Sequence, residues 1–362
     1  MRIACLIATL EPGGAERVLV TLANAWIGAG HDVDILTLEE PGASTVFILD
    51  DRVRLQRLGV KSENRRLWRR GTALFHRLAS LRKALRRLRP DVLLCFIAGT
   101  NVLGLVTARG LGCPVVISER VHPAHHRLRW PIPLLRRIFY PWATALVVQT
   151  EDIAAWFRGR LRLDPVVIPN PIDIDRFGPR TVPDGRKLLV SVGRLNGQKG
   201  YDTLIAAFAL LAAVYPDWDL VIYGEGPERR ALEALVARNN LTGRVMLPGV
   251  VDDVPDRLAS ASLYVQPSRY EGFPNAIVEA LAAGCPVVAT DAPGATAEIL
   301  DYGDLGALVP AGDGDALSSA LEMLMADPAA RDAYSRRARG GAARYEIGSI
   351  AERWTALFTS LR

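Results

Sequence analysis

No apolar run in this sequence is long enough to cross a bilayer, although 49% of its 362 residues are hydrophobic. The apolar content is therefore available for cores, and the length suffices for two domains of ordinary size. Residues 1–7 read as a first strand rather than a signal peptide. Cysteine is scarce: Cys5, Cys95, Cys113 and Cys285 are scattered without metal-ligand spacing. Reduced core thiols in a cytoplasmic protein are the expectation. Short-period repeats and low-complexity tracts are also missing.

The dinucleotide fingerprint G-x-G-x-x-G is absent as well, which argues against hydride transfer. Gly13-Gly14 follows the first apolar run and opens a helix, and Gly224-Glu225-Gly226 follows a later one; both read as turns that let backbone approach a ligand. The pattern D-x-D occurs at 32–34, 173–175, 217–219 and 313–315, too often to mean much, and none has a clustered third ligand. No catalytic metal and no cofactor are expected.

What is present is strand–helix alternation in two successive runs. The first has expected strands at 2–8, 32–38, 91–97, 114–118 and 145–149, with helices such as 15–29 and 72–88. The second has strands at 187–192, 218–223, 243–247, 262–266 and 286–290, with helices at 202–214, 227–239, 275–283 and 315–326. Such alternation implies parallel sheets. Pro165, Pro169, Pro171 and Pro179 surround the passage between the runs, which places a hinge near Asn170. The expected domains are 1–169 and 170–345, followed by a terminal helix within 346–362.

The densest chemistry lies in Tyr270-Glu271-Gly272-Phe273-Pro274-Asn275 and the helix it opens, which carries Glu279 eight positions after Glu271. Pro274 suits a first helical turn, and Gly284-Cys285-Pro286 stops the helix. The free N–H groups of Phe273, Asn275 and their neighbours, with the helix dipole, form an anion site that needs no side-chain charge. Carboxylates repel phosphate, so Glu271 and Glu279 are better used as bidentate acceptors for vicinal hydroxyls: ribose at Glu279, a sugar ring near Glu271. Upstream, the strand at 187–192 runs into a polar turn holding Arg194 and Lys199. Both cations fall beyond the carboxyl end of a strand, where open α/β sheets bind ligands, and they suit a diphosphate leaving group.

Together with Gly13-Gly14-Ala15-Glu16-Arg17, Val167-Ile168-Pro169-Asn170-Pro171-Ile172-Asp173, Tyr223-Gly224-Glu225-Gly226-Pro227 and Ala289-Thr290-Asp291-Ala292-Pro293-Gly294, these segments resemble the retaining glycosyltransferases of family 4 over nearly the whole chain. The double-glycine opening is similar to the subgroup that adds N-acetylhexosamines to lipid-diphosphate-linked or related glycans. The resemblance implies the α/β GT-B fold, two Rossmann-like domains facing across a cleft, with an N-terminal acceptor-binding domain and a C-terminal nucleotide-sugar-binding domain. It implies that the terminal helix packs back on the first domain. It also implies metal-independent, same-face transfer with retention, in which the departing phosphate oxygen helps to remove the acceptor proton.

On that basis the expected catalytic residues are Arg194, Lys199 and Glu271. The donor, with uracil preferred to guanine, is expected to touch Gly13, Gly14, Arg194, Lys199, Gly249, Val250, Glu271, Gly272, Phe273, Pro274, Asn275 and Glu279. Gly249 and Val250 face the base through the backbone. Many family members place a histidine after the fourth strand; here Glu119 takes that place, followed by His122 and then His125-His126. Glu16, Glu119 and His122 are candidates for touching the acceptor or the transferred sugar.

Residues 65–89 hold ten basic residues and no acidic one, whereas the rest of the chain holds fewer basic than acidic residues. Leu67, Leu74, Leu81 and Leu88 recur every seven positions, giving one apolar seam on a helix. The expectation is that the seam packs inward while Arg82, Lys83, Arg86 and Arg87 meet an anionic membrane surface or the diphosphate of a lipid-linked acceptor. This places the protein peripherally on the inner face of the cell membrane. A nucleic-acid-binding protein fits the pI near 9.2 but leaves the glutamate loop unexplained, so no nucleic-acid partner is expected. An epimerase of nucleotide sugars keeps the diphosphate cations but needs a proton-abstracting constellation.

Overall fold

The computed structural model describes residues 1–59, 67–124 and 130–362, the side chains of 67–74 excepted. The chain divides into two compact units, Met1–Pro171 with Ile347–Arg362, and Ile172–Glu346.

The first unit carries strands β1 (Arg2–Ile7), β2 (Asp32–Thr37), β3 (Arg54–Arg57), β4 (Val92–Phe96), β5 (Val115–Ser118), β6 (Ala145–Val148) and β7 (Val166–Val167). They form a sheet in the order β3-β2-β1-β4-β5-β6-β7, parallel at every pairing. Its helices are α1 (Gly14–Gly28), α2 (Leu67–Leu88), α3 (Ala98–Ala108), α4 (Ile132–Phe139) and α5 (Glu151–Phe157). Every residue of β4, β5 and β6 is buried, the signature of strands covered on both faces. Helix α5 starts where the Thr150 hydroxyl accepts the Ile153 N–H at 3.2 Å.

The second unit has β8 (Lys187–Val192), β9 (Trp218–Tyr223), β10 (Val245–Gly249), β11 (Leu263–Gln266), β12 (Val287–Asp291) and β13 (Ala307–Pro310), again all parallel, in the order β10-β9-β8-β11-β12-β13. Its helices are α6 (Tyr201–Leu211), α7 (Arg229–Arg238), α8 (Val254–Ser260), α9 (Asn275–Ala282), α10 (Thr296–Ile299), α11 (Gly314–Ala326) and α12 (Pro328–Ala343). Asp313 and Asp327 cap α11 and α12 through the N–H groups of Ala316 and Ala329, at 2.9 and 2.8 Å. Each unit is by itself a Rossmann-like parallel α/β fold, as the sequence led one to expect.

The last helix, α13 (Ile347–Ser360), belongs to the first unit. Its Trp354 and Phe358 pack on Trp26 of α1, with ring centroids 6.4 and 5.5 Å away, and the Trp26 indole N–H donates to the Ala351 carbonyl at 3.4 Å. All three rings are buried.

Three strands escaped the sequence reading. β3 is an edge strand of polar residues held by Arg54, which pairs with Asp34 of β2 at 2.8 Å, so neither alternation nor apolarity marks it. β7 is two residues long, and β13 ends on a proline at the sheet edge. Helices α8, α10 and α12 were also missed: α10 is only four residues long, and α12 contains Gly340 and Gly341, which weaken any helical signal.

Candidate active site

Within the second unit the sheet order brings the ends of β8, β11 and β12 side by side. A turn of 3-10 helix, Gly197–Lys199, follows β8 and carries the Lys199 ammonium to 2.7 Å from Glu271 Oε1. The same oxygen accepts from Ser268 Oγ at 2.6 Å and from Gln266 Nε2 at 3.1 Å. Gln266 is itself oriented by the Tyr264 hydroxyl, which donates to its Oε1 at 2.8 Å. Burial, with Tyr201, Glu279 and Glu271 nearby, pushes the Tyr264 phenol well up, so it stays a donor. Glu271 is only 6% exposed. Its Oε1 is thus fully used, while among the described residues Oε2 has only a long 3.5 Å approach from Gln198 Nε2. The result is a rigid carboxylate with one oxygen available to a ligand hydroxyl.

The backbone around Glu271 is clamped too. Its N–H donates to Pro293 O at 2.9 Å, and Gly294, at φ +130°, lies so close that a Cβ there would stand 2.2 Å from the Glu271 carbonyl oxygen. Only glycine fits that position.

Arg194 is exposed and has no ion pair or side-chain hydrogen bond among the described residues. Lys199, by contrast, already shares its charge with Glu271. This differs from the expectation that the two cations act alike on a diphosphate: one is free, the other is neutralised before any ligand arrives. Phe273 is a core residue, edge-on to Tyr345 at 5.6 Å. Pro274 caps α9 without a side-chain bond. The Asn275 N–H, expected to meet an anion, donates instead to Phe273 O at 3.0 Å, because the chain tightens before α9 begins. Among the described residues no backbone carbonyl accepts from Gly272 or Phe273 N–H, so of the expected donors Phe273 and its neighbour Gly272 keep their amides available and Asn275 does not. Glu279 is half-buried on α9. Gly249 ends β10 with its carbonyl held by Gly224 N–H at 2.8 Å, and the neighbouring Val250 is 71% exposed.

In the first unit, Gly13 caps α1, which begins at Gly14. The Glu16 carboxylate folds back over this end, where a Cβ on Gly13 would meet Glu16 Oε2 at 2.1 Å. Burial and Glu11 push that carboxyl up against the lowering effect of its own N–H. Glu16 therefore covers the turn that was expected to meet the donor. Glu119 is buried after β5 and accepts from the Tyr140 hydroxyl; burial pushes its carboxyl above the usual range. His122 is spent as well: Nδ1 accepts the Ala124 N–H at 3.2 Å, which leaves Nε2–H for Asp152, 3.2 Å away. Both of its ring nitrogens therefore have partners within the first unit. His125 and His126 lie outside the described residues.

The basic seam is also divided. Arg82 binds the carbonyls of Thr107 and Arg109 at the end of α3, at 2.7 and 3.0 Å, and Arg87 donates to Gln56 at 2.9 Å. Lys83 and Arg86 are exposed and make no side-chain hydrogen bond or ion pair among the described residues. The D-x-D carboxylates turn to cations: Asp34 to Arg54, Asp217 to Lys187, Asp219 to Arg186 and Arg244.

Sequence reasoning missed Gln198, Gln266 and Ser268 as parts of the Glu271 cradle. A glutamine closing the apolar strand β11, five residues before Glu271, was the available signal.

Comparison with known proteins matches residues 12–176 to the model of Glycosyltransferase Family 4 and residues 174–341 to that of Glycosyl transferases group 1. The chain is 30% identical to a GalNAc-alpha-(1->4)-GalNAc-alpha-(1->3)-diNAcBac-PP-undecaprenol alpha-1,4-N-acetyl-D-galactosaminyltransferase of Campylobacter jejuni, over 100% of this chain and 99% of the relative. It is also 30% identical over 97% of its length to the exopolysaccharide phosphotransferase SCO2592 of Streptomyces coelicolor, of which it spans only 40%. Among solved structures, Anabaena Alr3699/HepE in complex with UDP and glucose superposes with a TM-score of 0.80 at 20% identity, covering 99% of this chain and 100% of that one.

Proposed function

This chain belongs to glycosyltransferase family 4, and we propose that it moves an N-acetylhexosamine or hexose, with retention, from a UDP-linked donor to a hydroxyl of a lipid-linked or other glycan acceptor. The observation that carries this reading is the Glu271 cradle: a buried carboxylate with one oxygen locked by Lys199, Ser268 and Gln266 and the other left for a hydroxyl, in the same unit as the unpartnered Arg194. The UDP of the Anabaena protein and the undecaprenol-linked acceptor of the Campylobacter relative support the choice of donor and acceptor classes.

In this reading Arg194 takes the diphosphate charge as the anomeric C–O bond breaks, and the departing phosphate oxygen receives the acceptor proton as the new glycosidic bond forms on the same face. Glu271 Oε2 orients the sugar through its hydroxyls, and Lys199 holds Glu271 in place. Glu279 binds the ribose, and Gly249 and Val250 offer backbone to the base. No metal step is needed, because Arg194 and the N–H groups of Gly272 and Phe273 supply the positive field. Lys83 and Arg86 attach the first unit to an anionic membrane on its cytoplasmic face, each contributing about 1 kcal/mol. No helix among the described residues is long and apolar enough to cross a membrane.

The test is calorimetric titration of UDP into wild type and Glu279→Ala, followed by transfer from UDP-sugars to a lipid-diphosphate glycan. The expected result is UDP binding in the wild type that falls at least tenfold in the variant, with turnover on the glycan. Equal UDP affinity in both proteins would remove the ribose role, and absence of UDP binding in the wild type would remove the donor assignment.

A further inference from the structure

Arg120 follows Glu119 at the end of β5, and none of its three guanidinium nitrogens has a hydrogen-bond partner among the described residues, although all three are sealed from solvent. Other half-buried arginines here behave differently. Arg180 donates to three carbonyls and a hydroxyl, and Arg244 to three carbonyls and a carboxylate. The Arg120 guanidinium lies over the Phe96 ring, 4.5 Å from its centroid, a contact that satisfies the cation's face and none of its N–H groups. A buried, unpaired charge is costly, and native proteins keep one where a ligand completes it. Burial lowers its pKa to about 9, still leaving it cationic near neutral pH.

Its surroundings point to what completes it. Arg120 lines a cavity of about 40 Å³ together with Ile97, Ala98, Glu119 and Arg136. A cavity needs about 10–15 Å³ to admit one water, so this one has room for a compact polar group. Ile97 is the N-cap of the eleven-residue α3 and has no side-chain cap; it holds φ +74°, a costly conformation for a β-branched residue. That strain keeps the first turn of α3, with its free amides, against the cavity. Arg136 brings a second guanidinium, 4.0 Å from Glu119 Oε1. Glu119 is the acidic group on this wall. Its Oε1 is already engaged by the Tyr140 hydroxyl and by Arg136, which together offset its charge toward an incoming anion.

We propose that Arg120, Arg136 and the first turn of α3 form a binding subsite in the first unit for a phosphoryl group. Two guanidinium groups and a helix N-terminus border one small volume, more donors than a carboxylate's two oxygens would use. Two sources supply such a group, the diphosphate of a lipid-linked acceptor and that of the nucleotide donor. Only the choice between them rests on the transferase reading above.

The test uses the full chain, as wild type, Arg120→Gln and Arg120→Lys, with inorganic pyrophosphate as probe. Affinity is measured by calorimetry with and without saturating UDP, and thermal unfolding is recorded without anion. The expected result is at least a tenfold loss of pyrophosphate affinity in Arg120→Gln, partial recovery in Arg120→Lys, and a Tm for Arg120→Gln equal to or above that of the wild type, because an unpaired buried charge has been removed. Pyrophosphate binding that persists under UDP and depends on Arg120 identifies the acceptor as the source; binding abolished by UDP identifies the donor. Equal pyrophosphate affinity in all three proteins, or none in the wild type, overturns the proposal, as does a Tm fall in Arg120→Gln with unchanged affinity. If Arg120→Gln does not fold, the Arg120→Lys affinity decides alone. Arg120-dependent pyrophosphate binding in a protein that ignores UDP would leave this subsite standing and sink the donor assignment instead.

Discussion

Removing either partner of the Lys199–Glu271 pair should cost unequal amounts, and the inequality follows from the geometry. The two side chains are 17% and 7% exposed and meet at 2.7 Å. Lys199→Met leaves the Glu271 carboxylate two of its three close donors, Ser268 and Gln266. The loss is therefore one charge-assisted hydrogen bond, about 2–3 kcal/mol after allowing for partial exposure. Glu271→Gln strands an ammonium that has no other carboxylate in contact among the described residues, and breaking a buried pair in this way costs about 3–5 kcal/mol. For a unit of this size each kcal/mol moves Tm by about 2–4 °C, so Lys199→Met should lower the transition of the second unit by about 4–12 °C, and Glu271→Gln by more. In the double variant the pair is gone without a stranded charge, and the total should fall short of the sum by about 1.5–3 kcal/mol. Urea unfolding followed by fluorescence, with the four proteins side by side, measures each term. Additivity within about 0.5 kcal/mol, or a larger cost for Lys199→Met than for Glu271→Gln, would refute the reasoning.

Arg194→Ala should leave stability within about 0.5 kcal/mol of the parent, since the side chain is exposed and unpartnered, while lowering turnover roughly 10- to 150-fold as a charge-assisted contact is lost; steady-state kinetics beside a melting curve reads both. Gly294→Ala should destabilise by about 1–3 kcal/mol and depress turnover, because the added methyl displaces the Glu271 carbonyl; normal kinetics at normal Tm would contradict the clamp. Glu119 contributes a pH dependence of defined sign. Its folded pKa is raised by burial, so its favourable contribution is complete below the unfolded value of about 4.3 and is lost as pH rises through the folded value. The Tm difference between wild type and Glu119→Gln should therefore shift in favour of the variant as pH rises from 4 toward neutrality, and a constant difference would show that Glu119 does not titrate there. Lys83→Glu with Arg86→Glu should reduce binding to anionic liposomes and leave UDP affinity unchanged, as neither side chain holds the fold together; undiminished liposome binding at low salt would exclude them as a membrane contact.

The strands most plainly legible in the sequence include those buried on both faces, such as β4 and β9, where runs of apolar residues leave no competing reading. Those that escaped lie at sheet edges or are very short. For the site, the residue types were readable and their pairing was not. Lys199 and Glu271 were assigned to opposite substrate parts, yet they are bonded to each other, because the neighbouring placement of β8 and β11 is a property of sheet order that spacing along the chain does not carry. His122 illustrates the converse. It was a candidate for the acceptor or the transferred sugar because it follows β5, yet the Ala124 N–H and Asp152 engage both of its ring nitrogens. The Arg120 subsite had no sequence signal at all, since a missing partner can only be seen once every neighbour is placed.

The return of α13 to α1 makes the first unit discontinuous, and this bears on how the chain acquires its structure during synthesis. The Trp26 ring emerges from the ribosome more than 300 residues before Trp354 and Phe358, the aromatic partners that bury it. Until the last helix is made, α1 exposes an apolar face to chaperones and to other nascent chains, while the second unit, contiguous from Ile172 to Glu346, has everything it needs to fold. Completion of the earlier unit thus waits on completion of the later one. A chain that loses its final fifteen or so residues to a premature stop keeps every donor-site side chain described above, yet leaves an open aromatic cluster at its other end, where aggregation and proteolysis begin.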